Sequence, residues 1–118
     1  MRERRKYVRL KIDSTIEYYN GKGERKQSAA LQDISGGGLR FLTREDIERG
    51  RMFDIAFTLP ETEDQIQATV EIVWSKPVKD AAGIYETGAN FVKVESMDRE
   101  KIGEYIYNHR SSMKKRLH

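Results

Sequence analysis

Apolar and polar residues alternate along most of the chain with a period of two, the signature of strands that face a core on one side and water on the other. Val8, Leu10, Ile12, Ile16 and Tyr18 share one parity, whereas Arg9, Lys11, Asp13, Thr15 and Glu17 take the other, which predicts a first strand over 8–18. Asn20-Gly21-Lys22-Gly23 follows, a run that tolerates positive φ and so suits a hairpin turn. A second strand is expected over 26–34 and a third over 38–43, with Gly36-Gly37-Gly38 forcing a sharp bend between them. After a polar connection at 45–50, Phe53, Ile55, Phe57 and Leu59 mark a fourth strand, closed by Pro60. Ile66, Ala68, Val70, Ile72 and Trp74 mark a fifth, closed by Pro77, and their shared parity assigns Trp74 to the core. A sixth runs over 84–94, in which Gly88 relieves crowding or marks a bulge.

Beyond residue 95 the period changes. Ser96 is suited to cap a helix, and Asp98 and Glu100 stand in its first turn, where the helix dipole favours negative charge. Ile102, Tyr105, Ile106, His109 and Met113 recur at steps of three and four, so one stripe of a helix over 96–116 can lie against the strands, and Lys114-Lys115-Arg116 suits its C-terminal end. Six short strands with hairpin-length links predict a mainly β fold, a six-stranded antiparallel β-barrel with a C-terminal α-helix. With 118 residues the expectation is one domain over 1–118, divided into a basic arm (1–9), a barrel (10–94) and the helix (96–116).

Composition narrows the functional classes. The chain has no cysteine, which removes disulfides, thiolate metal sites and cysteine nucleophiles, and its two histidines lack metal-ligand spacing. No catalytic group is assigned, and neither a cofactor nor a metal is expected. No apolar run approaches a membrane span and no apolar segment follows the N-terminal arginines, so the expectation is a cytoplasmic protein that does not insert in membranes. Net charge is only +3, yet Arg2, Arg4, Arg5, Lys6, Arg9 and Lys11 stand against Glu3 alone in the first eleven residues. Such a local excess suits a compact anion better than a long polyanion.

Two short motifs supply the candidate chemistry. Arg5 and Arg9 form R-x-x-x-R, and their planar forks match both a phosphate edge and the O6/N7 edge of guanine. Asp33-Ile34-Ser35-Gly36-Gly37-Gly38 forms D-x-S-x-x-G: Asp33 can accept from guanine N1–H and N2–H₂, the Ser35 hydroxyl can donate or accept beside it, and the glycines bring backbone close to a ligand, with Gly38 the expected site of an unusual φ. Together they are the set needed to hold an anionic guanine nucleotide. Taken alone, each motif is equally met by a solvated arm or a plain β-turn.

The pair of motifs, one before the first strand and the other at the end of the second, resembles the PilZ domain family of bacterial cyclic di-GMP receptors, and neither motif departs from that family's pattern. Thr87-Gly88-Ala89-Asn90-Phe91-Val92 looks like the family's last strand. The resemblance implies a receptor that binds cyclic di-GMP on the outer face of the barrel. By the same carry-over Arg5 and Arg9 would contact phosphate and guanine, Asp33 and Ser35 would take the Watson–Crick edge, and Gly37 and Gly38 would shape the floor. Arg4, just before R-x-x-x-R, resembles the members that take an intercalated ligand dimer. A third guanidinium there would offset the four negative charges of two stacked ligands. The arm would fold over the ligand and present a changed surface to a downstream protein that the sequence does not identify. Two other readings stand beside this one: a small basic barrel for RNA or single-stranded DNA, and a PilZ-like interaction scaffold that binds no nucleotide. Nucleic acid is the disfavoured partner, because Tyr18, Phe53, Phe57 and Trp74 fall on apolar parities instead of offering stacking platforms.

Overall fold

A computed structural model of the chain describes residues 9–20 and 25–116, apart from the side chains of residues 20, 25 and 110–116. Six strands follow in order: β1 (Leu10–Asn20), β2 (Arg25–Ile34), β3 (Gly38–Thr43), β4 (Met52–Thr58), β5 (Gln65–Pro77) and β6 (Tyr85–Val94), and the helix α1 (Ser96–Arg116) ends the chain. The strands close a barrel in the order β1-β2-β3-β6-β5-β4, every neighbour antiparallel, and β4 pairs back onto β1 through Ile16↔Phe57 and Tyr18↔Ile55. The expected antiparallel barrel with its terminal helix is therefore the fold observed. Val8, expected to open the first strand, lies outside the described residues, as do 21–23 of the expected hairpin turn. The β1/β2 ladder beside that turn runs to Asn20↔Arg25.

The core fills the barrel from the alternating positions. Ile16, Ile34, Leu39, Phe41, Ile66, Val70 and Ile72 are buried almost completely, and Tyr18 packs its ring against Phe41 and Phe53 with centroids 5.6 and 5.5 Å away. The connection between β3 and β4 departs from its expected polar character. Ile47 is 2% exposed and joins the core, and the segment is tied to β5 by Gly50 N–H to Ile72 O and Ile72 N–H to Arg51 O, both 2.8 Å.

Departures from strict alternation occur at register shifts, and they decide what the outer face carries. Between Leu31 and Asp33 the β2 register slips against both neighbours. Leu31 pairs with Phe41 toward the core, and Asp33 then pairs with Arg40 on the outer face, although Leu31 and Asp33 share a parity. One extra residue in a strand re-aims every side chain after it. The same device corrects the expectation for Trp74. Ile72 pairs with Ala89, but Val73 is extra, so Trp74 pairs with Gly88 and stands on the outer face, while Ser75 turns inward beside the buried Thr87. Trp74 is half-buried and outside the core.

α1 lies on the barrel through Ile102, Tyr105 and Ile106, all buried. Its first turn is pinned to β5 by the backbone N–H of Gln67, which donates to Asp98 Oδ2 at 3.2 Å.

Candidate functional site

The turn Ser35–Gly38 joins β2 to β3 and is stapled from within. The backbone N–H of Ser35 donates to Gly38 O at 2.8 Å, and the Ser35 Oγ accepts from the N–H groups of Gly37 and Gly38 at 3.2 Å each. The hydroxyl proton of Ser35 points to Gly38 O at 3.3 Å, long for an O–H···O bond, so this donor is weakly committed. Gly37 O accepts from Phe91 N–H at 2.9 Å, which ties the turn to β6.

Gly38 is required by crowding and not by torsion. Its φ is not positive, against expectation; among the described glycines positive φ occurs at Gly50 and Gly83. A Cβ on Gly38 would instead collide with the carbonyl oxygen of Ala89 in the adjacent strand β6. Gly88 is crowded in a different way: a Cβ there would run into the ring of Trp74, which covers it.

Asp33 is the electrostatic centre. Its side chain is 3% exposed, and two guanidiniums hold it, Arg9 Nη1 to Oδ1 and Arg40 Nη2 to Oδ2, each at 2.6 Å. Arg40 reaches onward with Nη1 to Glu86 Oε2 at 3.2 Å, and Glu86 Oε1 lies 3.7 Å from Lys76 Nζ. Lys76 Nζ in turn sits 5.3 Å from the centroid of the Trp74 ring. A line of alternating charge thus crosses the outer face from the residue preceding β1, over β2 and β3, to β6 and β5. Charge-assisted bonds to a nearly buried carboxylate are short and strong, and they fix the forks of both arginines.

Of the residues singled out by sequence, the structure brings together Arg9 and Asp33, with Ser35, Gly37 and Gly38 in the adjoining turn. Arg4 and Arg5 lie outside the described residues. Sequence reasoning missed Arg40, Glu86 and the outward placement of Trp74. Arg40 looks in the sequence like any solvent-facing position of a strand, and only its register opposite Asp33 reveals it. Among the described residues no group of three or more His, Asp or Glu side chains is placed to hold a metal ion, and no helix is long and apolar enough to cross a membrane.

Fold and site together define a small closed β-barrel with a cationic site on its outer face, built around one buried carboxylate and a glycine turn. The PilZ domain family model matches residues 3–108, and the chain belongs to that family. Solved structures with the same fold include the Bacillus subtilis inhibitor of motility MotI/DgrA (TM-score 0.81, 17% identity, 93% of this chain and 53% of that one). They also include the PilZ domain of Escherichia coli YcgR with c-di-GMP (TM-score 0.72, 16% identity, 96% of this chain and 97% of that one). A third is the K. pneumonia MrkH–c-di-GMP complex (TM-score 0.81, 16% identity, 98% of this chain and 57% of that one). The chain thus spans little more than half the length of MotI/DgrA and MrkH, and at these identities the likeness is one of fold. Comparison with curated protein sequences gives no match.

Proposed function

We propose that this protein is a cyclic di-GMP receptor in which the arm carrying Arg4, Arg5 and Arg9 closes over ligand bound on the outer face of the barrel, and that the closed form signals to a partner protein. The observation that carries this reading is the convergence of Arg9 with Asp33 beside the Ser35–Gly38 turn, at the junction of both sequence motifs. Family membership and structural neighbours solved with c-di-GMP support the choice of ligand. In this reading Arg5 and Arg9 bind phosphate and the O6/N7 edge of guanine. Asp33 accepts from N1–H and N2–H₂. Ser35 donates its loosely held hydroxyl proton, since its lone pairs serve Gly37 and Gly38. Gly37 and Gly38 keep the floor free of side chains, and Arg4 supplies the third guanidinium that a stacked pair of ligands needs.

The signal is a population shift: the ligand favours the closed arm by the contacts it makes only there, and the partner reads the new surface. Calorimetric titration with cyclic di-GMP tests the assignment. Arg5→Ala and Asp33→Ala are each expected to weaken binding by about tenfold or more, the loss of one good bidentate or charge-assisted contact. Undiminished binding by both variants removes the assigned roles. The same titration gives ligands per chain, two if the dimer is taken. Run over a range of salt, it separates a ligand of few phosphates, with a shallow dependence, from a polyanion, with a steep one.

A further inference from the structure

Asp33 offers no open edge to a base. Each of its oxygens is already held by a separate guanidinium, and the carboxylate is almost wholly enclosed. A guanine presenting N1–H and N2–H₂ reaches it only when one fork draws back. The two forks are not equivalent. Arg9 stands just before β1, and its side chain is 36% exposed. Arg40 stands within β3, opposite Asp33 in one ladder and Gly88 in the other, and Glu86 anchors the far side of its guanidinium at 3.2 Å. Its Nε–H is buried without an acceptor among the described residues, so the fork is oriented by its two terminal nitrogens at the expense of the third donor.

We propose that Arg40 is the positioning residue of the guanine site. It keeps Oδ2 of Asp33 while Arg9 leaves Oδ1 for the ligand, and Glu86 keeps the Arg40 fork in place. The inference rests on the reading of the ligand as cyclic di-GMP. A carboxylate oxygen has two lone pairs, so Oδ2 can hold Arg40 and accept one guanine N–H while the released Oδ1 accepts the other. The exchange also settles the charge. If Arg9 moves to a phosphate, Asp33 would be a buried carboxylate with no cation beside it, an arrangement that is strongly unfavourable, unless Arg40 stays. Arg40 thereby sets the aim of the acceptor that distinguishes guanine from adenine, whose Watson–Crick edge has neither an N1–H nor a 2-amino group.

The test is calorimetric titration of the full chain with cyclic di-GMP and with cyclic di-AMP, on the wild type, Arg40→Gln, Arg40→Lys and Glu86→Gln, with thermal unfolding of each. Arg40→Gln is expected to lose about 10- to 100-fold in affinity for cyclic di-GMP and to narrow its preference over cyclic di-AMP, the scale of one bidentate base contact. Arg40→Lys, which restores a cation beside Asp33, should recover most of the loss. Glu86→Gln, which leaves the Arg40–Asp33 bond intact, should lose a few-fold. A purely structural role would lower the unfolding temperature and weaken both ligands alike, leaving the preference unchanged, and that result overturns the proposal. So does an Arg40→Gln variant that binds and discriminates like the wild type; if that variant does not fold, an indifferent Glu86→Gln has the same force. Wild-type protein that binds no cyclic di-GMP sinks the receptor reading itself, whereas binding that ignores Arg40 sinks only this inference.

Discussion

A methyl group at Gly38 and one at Gly88 meet different kinds of neighbour, and the difference predicts different outcomes. At Gly38 the obstacle is the Ala89 carbonyl, which is backbone in the adjacent strand and cannot swing aside. Gly38→Ala must spread β3 from β6 and is expected to cost about 1–3 kcal/mol or more, measured by urea unfolding. At Gly88 the obstacle is the Trp74 ring, a side chain half-buried on the outer face that can change rotamer without moving a strand. Gly88→Ala is expected to fold with a smaller loss and to move the emission of the single tryptophan toward that of a solvated indole; equal destabilisation by both variants, with no spectral change, would refute this account. These two residues also show where the sequence stops being legible. Glycine in a D-x-S-x-x-G turn invites a torsional explanation, yet what demands Gly38 is the backbone carbonyl of Ala89 in the neighbouring strand, a contact that no local pattern encodes. Arg9, Asp33 and Ser35 could be singled out because their side-chain chemistry is distinctive within two compact motifs. Arg40 could not, because its importance comes from standing opposite Asp33, and that depends on a register slip at Gln32.

At the scale of elements the alternation served well wherever a ladder is regular and failed where a strand gains a residue. β4 follows its pattern without interruption, with Phe53, Ile55 and Phe57 all buried. β5 follows it as far as Ile72, and the bulge at Val73 then reverses the faces, so the parity that assigns Trp74 to the core no longer applies there. Bulges leave little trace in a sequence because they need no particular residue, whereas turns advertise themselves with glycine, asparagine and proline. The helix was legible from its stripe. Ile102, Tyr105 and Ile106 are buried as the three- and four-residue spacing implies, and His109 stacks on Tyr105 with ring centroids 3.9 Å apart while its Nε2 lies 3.6 Å from Glu61. That apolar stripe, more than the exposed ion pairs, holds α1 down, since pairs such as Lys101–Asp64 at 3.8 Å are screened by water. Ile102→Ala is therefore expected to cost about 2–5 kcal/mol in urea unfolding. Tyr107→Ala, on the solvent side of the same helix at 67% exposure, should stay within about 0.5 kcal/mol. Similar costs for both would mean that the helix is held by something other than its buried stripe.

For the whole molecule, the six strands close into one barrel around one core, so the sheet and its core are expected to unfold as one cooperative unit, and a proton bound anywhere in that unit affects its total stability. Two buried tyrosines make this visible at high pH. Burial raises the pKa of Tyr18 above the ordinary 10.0, and the nearby Glu45 carboxylate raises it further. Burial likewise raises that of Tyr105, with Glu61 adding to the effect. Below about pH 10 both tyrosines are neutral in folded and unfolded chains alike, and their contribution is fully present. As pH rises past that value the unfolded chain releases phenolic protons that the folded chain still retains, so stability falls until the raised folded values are passed. Lysines titrate in the same window, and a comparison of variants removes their contribution. Tyr18→Phe cannot ionise, so its stability relative to wild type should be constant from about pH 7 to pH 9 and then improve steadily above about pH 10. Urea unfolding at a series of pH values gives both curves, and curves that stay parallel through the alkaline range would show that the Tyr18 hydroxyl is not held neutral by its surroundings.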